Sequence, residues 1–342
     1  MGYLAVSARP WAHRSVTSHA VDLDRLVTDA REGVPRAVAR LISLVEDGGV
    51  GGDETPLREL AAALAPYTGR ARVVGLTGSP GVGKSTTTSA LVSALRADDR
   101  RVGVLAVDPS SPFSGGALLG DRVRMGEHAT DPGVFIRSMA TRGHLGGLAA
   151  ATPQALRVLD AAGCDVILVE TVGVGQSEVE VVALADTTVV LLAPGMGDGV
   201  QAAKAGILEV ADVFVVNKAD RDGADATVRE LQHMVSLSRR EVSGPSWRPP
   251  VVRTVAAAGQ GIDDLVAALD DHRAWMADHD RLAEGPRRRA RAEIEAIALA
   301  DLRARIRELS GDAALGGLAE RVVAGELDPY AAADEVVASV RG

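Results

Sequence analysis

One short stretch, Gly78-Ser79-Pro80-Gly81-Val82-Gly83-Lys84-Ser85, limits what this chain can fold into more than any other. It has a glycine, four residues, then Gly-Lys-Ser, the spacing of a phosphate-binding P-loop. That pattern carries meaning only between a buried strand and a helix. Both flanks are legible. Arg72 to Thr77 is a short apolar run ending at the loop, and Thr86 to Leu95 places Ala90, Leu91, Ala94 and Leu95 at helical spacing. Gly78, Gly81 and Gly83 let the backbone turn its N–H groups toward phosphate oxygens, with Ser79, Pro80 and Val82 completing the cradle. The helix start at Thr86 adds positive potential. Lys84 is expected to reach the β- and γ-phosphates, and the Ser85 hydroxyl to ligate Mg²⁺.

The surrounding pattern fixes the fold class. Between Val73 and about Thr254, β-branched runs alternate with helical stretches: Val73–Leu76, Val102–Val107, Val134–Ile136, Val166–Val169, Val189–Leu192, Val213–Val216 and Val251–Val255. This predicts an α/β fold of the P-loop type, a doubly wound and mostly parallel sheet with helices on both faces. Hydrophobic residues make up 46% of the chain but aromatic ones only 3%, so the core is built from Val, Leu and Ala. Buried parallel strands favour that composition. Ligands on such sheets bind at the carboxyl ends of the strands.

Four segments follow from the pattern. Residues 1–20 are expected to be disordered, with a transit peptide as the alternative reading, because Arg9 and Arg14 occur without an acid. Residues 21–70 form a helical extension: Asp22 caps a first helix, the step from Glu32 to Pro35 breaks it, and Pro35 opens a second. A third helix covers Pro56 to Leu64. Residues 71–275 form the nucleotide-binding domain, and 276–342 a helical arm. In the arm, Arg287 to Leu309 presents Ala290, Ile294, Ala298, Leu302, Ile306 and Leu309 as one stripe, and Asp328 to Val340 forms a shorter helix. The stripe packs either on the sheet domain or on a second subunit. The Arg287–Arg289 run reads either as a solvated helix start or as a phosphate patch.

With 37 Lys and Arg against 46 Asp and Glu, the net charge of −9 argues against a general nucleic-acid binder. No apolar stretch is long enough to span a bilayer. The single cysteine, Cys164, reads as a small buried core residue, consistent with a reducing cytosol.

The base is specified by Asn217-Lys218-Ala219-Asp220, which follows an apolar run. Asp220 can accept from the ring N–H and exocyclic amino group of guanine, donors that adenine lacks in that arrangement. Asn217 can bond the base edge and brace the loop, and the stem of Lys218 can lie along the ring. A site built on such polar bonds discriminates on the order of 10⁴-fold. Ala257, within Val255 to Gly259, can offer a backbone N–H to the guanine carbonyl.

Two acids complete the expected metal site, Asp108 after the second strand and Glu170 after the fourth. Mg²⁺ takes hard oxygen ligands and keeps several waters, so either acid can act directly or through water. The Gly173 N–H would contact the γ-phosphate. Many GTPases carry a water-orienting glutamine directly after that glycine; here the position is Val174, and Gln176 is out of register. Asp121 is the candidate for orienting the water, and slow intrinsic hydrolysis is expected. A Gly-rich loop from Pro194 to Lys204 reads as a signalling element, with Asp198 and Lys204 able to pair or to touch the nucleotide.

Taken in order, Gly78 to Ser85, Val107-Asp108-Pro109-Ser110-Ser111, Glu170-Thr171-Val172-Gly173-Val174-Gly175-Gln176-Ser177, Pro194-Gly195-Met196-Gly197-Asp198 and Asn217 to Asp220 resemble the methylmalonyl-CoA mutase-associated GTPases, also called the MeaB or ArgK family. The resemblance covers roughly residues 25 to 342. It implies a cytosolic homodimeric chaperone that binds GTP and GDP with Mg²⁺. Such proteins associate with an adenosylcobalamin-dependent acyl-CoA mutase, gate its cofactor loading and eject damaged cofactor. Switch regions would map to Asp108–Asp121, Glu170–Gln176 and Asp198–Lys204, and dimerisation to the C-terminal helices. The partner rests on the resemblance alone. Two other readings stand beside it: a nucleotide-driven component or kinase of a basic amino-acid transport system, and a metal-inserting GTPase. The second lacks its usual His-rich tract or Cys motif, since the seven histidines are scattered.

Overall fold

All the strands expected from the sequence form, and they pair in parallel throughout. The computed structural model describes residues 22–47, 55–108, 126–140, 151–171, 183–195, 210–238 and 245–341. The strands are β1 (Arg72–Thr77), β2 (Val102–Asp108), β3 (Val134–Ala140), β4 (Val166–Thr171), β5 (Thr187–Leu192), β6 (Val213–Asn217) and β7 (Val251–Thr254), in the order β3-β2-β4-β1-β5-β6-β7. β7 stops one residue short of the expected Val255, which instead bridges Gln260 in antiparallel fashion. Gly259, at φ +68°, turns the chain back there.

Register carries the functional consequence. Leu76 pairs with Glu170, Ala106 with Glu170, and Asp108 with Ala140. The end of β1, Glu170 and Asp108 therefore reach the same carboxyl edge of the sheet.

Helices cover both faces. The described ones are α1 (Leu23–Arg31), α2 (Pro35–Asp47), α3 (Thr55–Leu64), α4 (Lys84–Ala97), α5 (Thr152–Ala161), α6 (Ala224–Ser238), α7 (Ile262–Asp278), α8 (Glu284–Val323) and α9 (Pro329–Arg341). Side chains alternate along each strand, so adjacent residues feed opposite cores. Val73, Leu105 and Ile167 pack with Leu41 and Ile42 of α2 and Leu159 of α5. Val74, Val104 and Leu168 pack with Leu91 and Leu95 of α4 and Leu265 of α7. A smaller cluster joins Phe214 and Val216 to Leu231 of α6. Asp22 caps α1 as expected, accepting from the Arg25 N–H at 3.1 Å. Cys164 is buried, and desolvation pushes its thiol up to about 12.

α8 begins before the expected Arg287 and runs well past Leu309. The Arg287–Arg289 run is not simply a solvated start. Arg288 donates to the carbonyls of Ala183 (3.1 Å) and Ala185 (2.5 Å), and Arg289 to the Leu184 carbonyl (2.9 Å) and Asp186 (2.5 Å). Asp186 in turn accepts from the Val73 N–H of β1 at 2.8 Å. The buried Glu293 pairs with the half-buried Arg157 at 2.8 Å and fixes the next turn to α5. Beyond it Ile294 and Leu302 of the apolar stripe are exposed, at 68% and 48%. No helix among the described residues is long and apolar enough to cross a membrane.

Candidate functional site

The P-loop joins β1 to α4 through backbone conformations that only glycine adopts cheaply. Gly78 sits at φ +139° and Gly83 at φ +96°. A Cβ at Gly78 would be driven into the Leu191 carbonyl oxygen of β5, and one at Gly83 into the Asn217 side-chain amide. Positive φ and backbone contact together make Gly78 irreplaceable. Gly78→Ala is expected to destabilise the domain by about 3 kcal/mol, which a denaturant melt would show as a lowered midpoint.

Lys84, the first residue of α4, is 7% exposed and lies across the loop. Its Nζ donates to the carbonyls of Gly78 (2.6 Å) and Ser79 (3.1 Å). The next residue, Ser85, donates its hydroxyl to Glu170 Oε1 at 2.5 Å. Glu170 is only 3% exposed at the end of β4. The hydroxyls of Thr77 and Thr171, at the same strand ends, are buried with no hydrogen-bond partner among the described residues. This edge thus gathers hard oxygen donors. Among the described residues no cluster of three His, Cys, Asp or Glu side chains could hold a metal. A hydroxyl, one carboxylate and waters suit Mg²⁺, which needs no all-protein cage. Asp108 closes β2 beside Ala140 at this edge.

The second loop locks onto the first. Asn217, 3% exposed at the end of β6, donates through Nδ2 to the Val82 carbonyl at 2.8 Å. Its Oδ1 accepts from the Thr254 hydroxyl and the Ala256 N–H, each at 3.1 Å. One side chain therefore ties the P-loop to β7 and to the turn Ala256–Ala258. Lys218 adopts φ +57° and donates to the Gly81 carbonyl at 2.7 Å. That aims its stem across the space next to the P-loop. Asp220 and Ala257 are both exposed.

The structure thus joins the P-loop to Glu170 through Ser85 and to Asn217 and Lys218 through the Val82 and Gly81 carbonyls, Asp108 ends β2 at the same edge, and Asp220 and Ala257 follow in the loops after β6 and β7. Asp121, Gly173 and Lys204 lie outside the described residues, as do Gln176 and Asp198. Sequence reasoning did not single out Ser89, one turn beyond Ser85 on α4. Its hydroxyl donates to Glu127 and lies 3.1 Å from Nε2 of the buried His128, on the short turn Gly126–His128. No spacing signal marks that pairing, which arises only when β3 is placed.

The family model of the methylmalonyl Co-A mutase-associated GTPase MeaB matches residues 38–318. The chain belongs to the MeaB family. A protein of Pyrococcus abyssi that bears a GTPase name is 48% identical over 320 residues, covering 94% of this chain and 97% of its own. The mitochondrial methylmalonic aciduria type A homolog of Mus musculus is 38% identical over 281 residues, covering 77% and 65%. A crystal structure of a LAO/AO transport system kinase superposes with a TM-score of 0.66 at 26% identity, covering 94% of this chain and 98% of that one. As a MeaB-family member the chain is a P-loop GTPase that binds guanine nucleotide.

Proposed function

We propose that this GTPase is a chaperone of an adenosylcobalamin-dependent acyl-CoA mutase, methylmalonyl-CoA mutase being the first candidate. It would gate loading of the mutase cofactor and eject the cofactor when damaged. The family description, a mutase-associated GTPase, supports the partner. The name of the mouse relative, which refers to methylmalonic aciduria, points the same way. The observation that carries the nucleotide half of the reading is the Asn217 side chain, bonded at once to Val82 of the P-loop and Ala256 of the base loop. A nucleotide seated there is felt by both loops.

In this reading each residue has a separate task. The N–H groups of Gly78 to Thr86 cradle the phosphates, and Lys84 leaves its loop carbonyls for the β- and γ-oxygens. Ser85, Glu170 and Asp108 hold Mg²⁺, which supplies charge neutralisation at the phosphates. Gly173 contacts the γ-phosphate, Asp121 orients water and Lys204 acts from the third switch. Asp220 accepts from guanine, Lys218 lines its face and Ala257 donates to its carbonyl. The chain would then divide into a nucleotide domain at 71–275, flanked by the helical extension at 21–70 and the arm at 276–342. The uncovered apolar residues of α8, with Tyr330 of α9 at 84% exposure, support homodimerisation through that arm. We place the protein in the cytoplasm with its mutase.

The base assignment has a direct test. Asp220→Ala removes both acceptors for guanine and leaves the loop bonds of Asn217 in place. GTP affinity should fall on the order of 10²-fold while the weak affinity for ATP stays constant. Equal losses for both nucleotides in a fluorescence titration would remove Asp220 from base recognition.

A further inference from the structure

At the amino ends of the strands, across the sheet from the P-loop, lies a cleft of about 740 Å³. That size is ample for a small ligand. β1 connects the two ends: Arg72 opens it in the cleft, and Thr77 closes it at the P-loop. Separate elements supply the cleft's cations, Arg31 from α1, Arg70 before β1, Arg100 after α4 and Arg273 from α7.

The floor is crowded with guanidinium groups around one carboxylate. Arg72 is 4% exposed, donates to Asp270 at 2.9 Å and also bonds the Leu269 carbonyl. Arg100 donates to both oxygens of the same Asp270, at 3.2 and 3.0 Å. Burial pushes Arg72 down to about 10 against the pull of Asp270, and the charges of Arg273 and Arg100 add to the push. The Nε of Arg72 is buried with no hydrogen-bond partner among the described residues.

The remaining acids of the walls are turned to other work. Asp160 accepts from the N–H groups of Gly69, Arg70 and Ala71, and Asp165 from that of Arg101. Asp98 faces Arg100 at 3.5 Å, and Asp99 stands exposed at the rim. By contrast, the side chains of Arg70 and Arg273 make no ion pair among the described residues, and Arg31 lies 3.6 Å over the Tyr67 ring. The cleft thus presents two exposed guanidinium groups, Arg70 and Arg273, beside the buried Arg72.

We propose that this cleft is a second ligand site, which binds a small oxyanion, a phosphate or a carboxylate group, between Arg70, Arg72 and Arg273. A guanidinium presents donors in a rigid fork that fits either group. Charge-assisted bonds of this kind are about twice as strong as neutral ones. A bound oxyanion would offset the mutual repulsion of the Arg72 and Arg273 charges. The ring of Tyr67 and the Arg31 stacked on it supply a flat wall for the rest of the ligand.

Calorimetric titration of the full chain, saturated with GDP and without added magnesium, tests this. Inorganic pyrophosphate and succinate are the probes, used separately to tell a phosphate site from a carboxylate site. At least one should bind with 1:1 stoichiometry. The double variant Arg70→Ala/Arg273→Ala, exposed at both positions, should weaken that binding at least 10-fold, with Arg273→Gln as the milder substitute if the double variant folds poorly. Lys84→Ala should leave it unchanged. The site does not exist if neither probe saturates, if the arginine variants bind like wild type, or if Lys84→Ala abolishes binding and so returns it to the P-loop.

Discussion

Replacing Lys84 by alanine lowers GTP turnover on the order of 10³-fold, the loss that follows removal of one preorganised donor from developing negative charge. The structure explains why the effect is concentrated in chemistry. Lys84 is buried at the start of α4, and its ammonium is held by the Gly78 and Ser79 carbonyls. Those acceptors belong to the loop itself, so the charge is stored where phosphate oxygens arrive. Losing it removes a cation but leaves the glycine conformations and the Ser85–Glu170 bond in place. Single-turnover hydrolysis should therefore collapse while guanine selectivity persists. A variant that hydrolyses GTP within a few-fold of wild type would deny Lys84 its role.

Asn217→Ala produces the second large effect, and it strikes both stability and binding. Three hydrogen bonds vanish together, to Val82, Thr254 and Ala256. The Ala256 N–H and the Val82 carbonyl are left to find other partners. At about 1 kcal/mol or more for each lost bond, the folded state should lose about 3 kcal/mol. Guanine-nucleotide affinity should fall on the order of 10²-fold or more, because the P-loop and base loop are no longer held in one geometry. Asn217→Asp separates the two roles of the side chain. It keeps the acceptor for Ala256 and Thr254 but loses the donor to Val82, so it should restore part of the stability and little of the affinity. Chemical denaturation and nucleotide titration of the two variants together check this.

The sheet was legible because its central strands, β1, β4, β5 and β6, are buried on both faces, and such strands write themselves as β-branched runs. The P-loop and the guanine loop were legible because phosphate and base recognition demand fixed residues at fixed spacing. Glu170 could be named from its place after a strand, but its bond to Ser85 depends on the pairing of Leu76 with Glu170, which no local pattern reveals. The same holds for Ser89 with His128 and for the clamp of Arg288 and Arg289 on residues 183–186. These are contacts between segments distant in sequence, with side chains that look solvent-directed when read alone. The long helix α8 starts before the expected Arg287 for a related reason. Glu284 to Pro286 carry no apolar period, and they are helical because the next turn is pinned by Arg289 and Glu293.

The most direct test of the account is GTP hydrolysis by the purified chain with and without an adenosylcobalamin-dependent acyl-CoA mutase. The account predicts a slow basal rate that rises several-fold with the client mutase, and a Lys84→Ala variant that no mutase can stimulate. A rate that stays at its basal value with every such mutase, methylmalonyl-CoA mutase included, would contradict it.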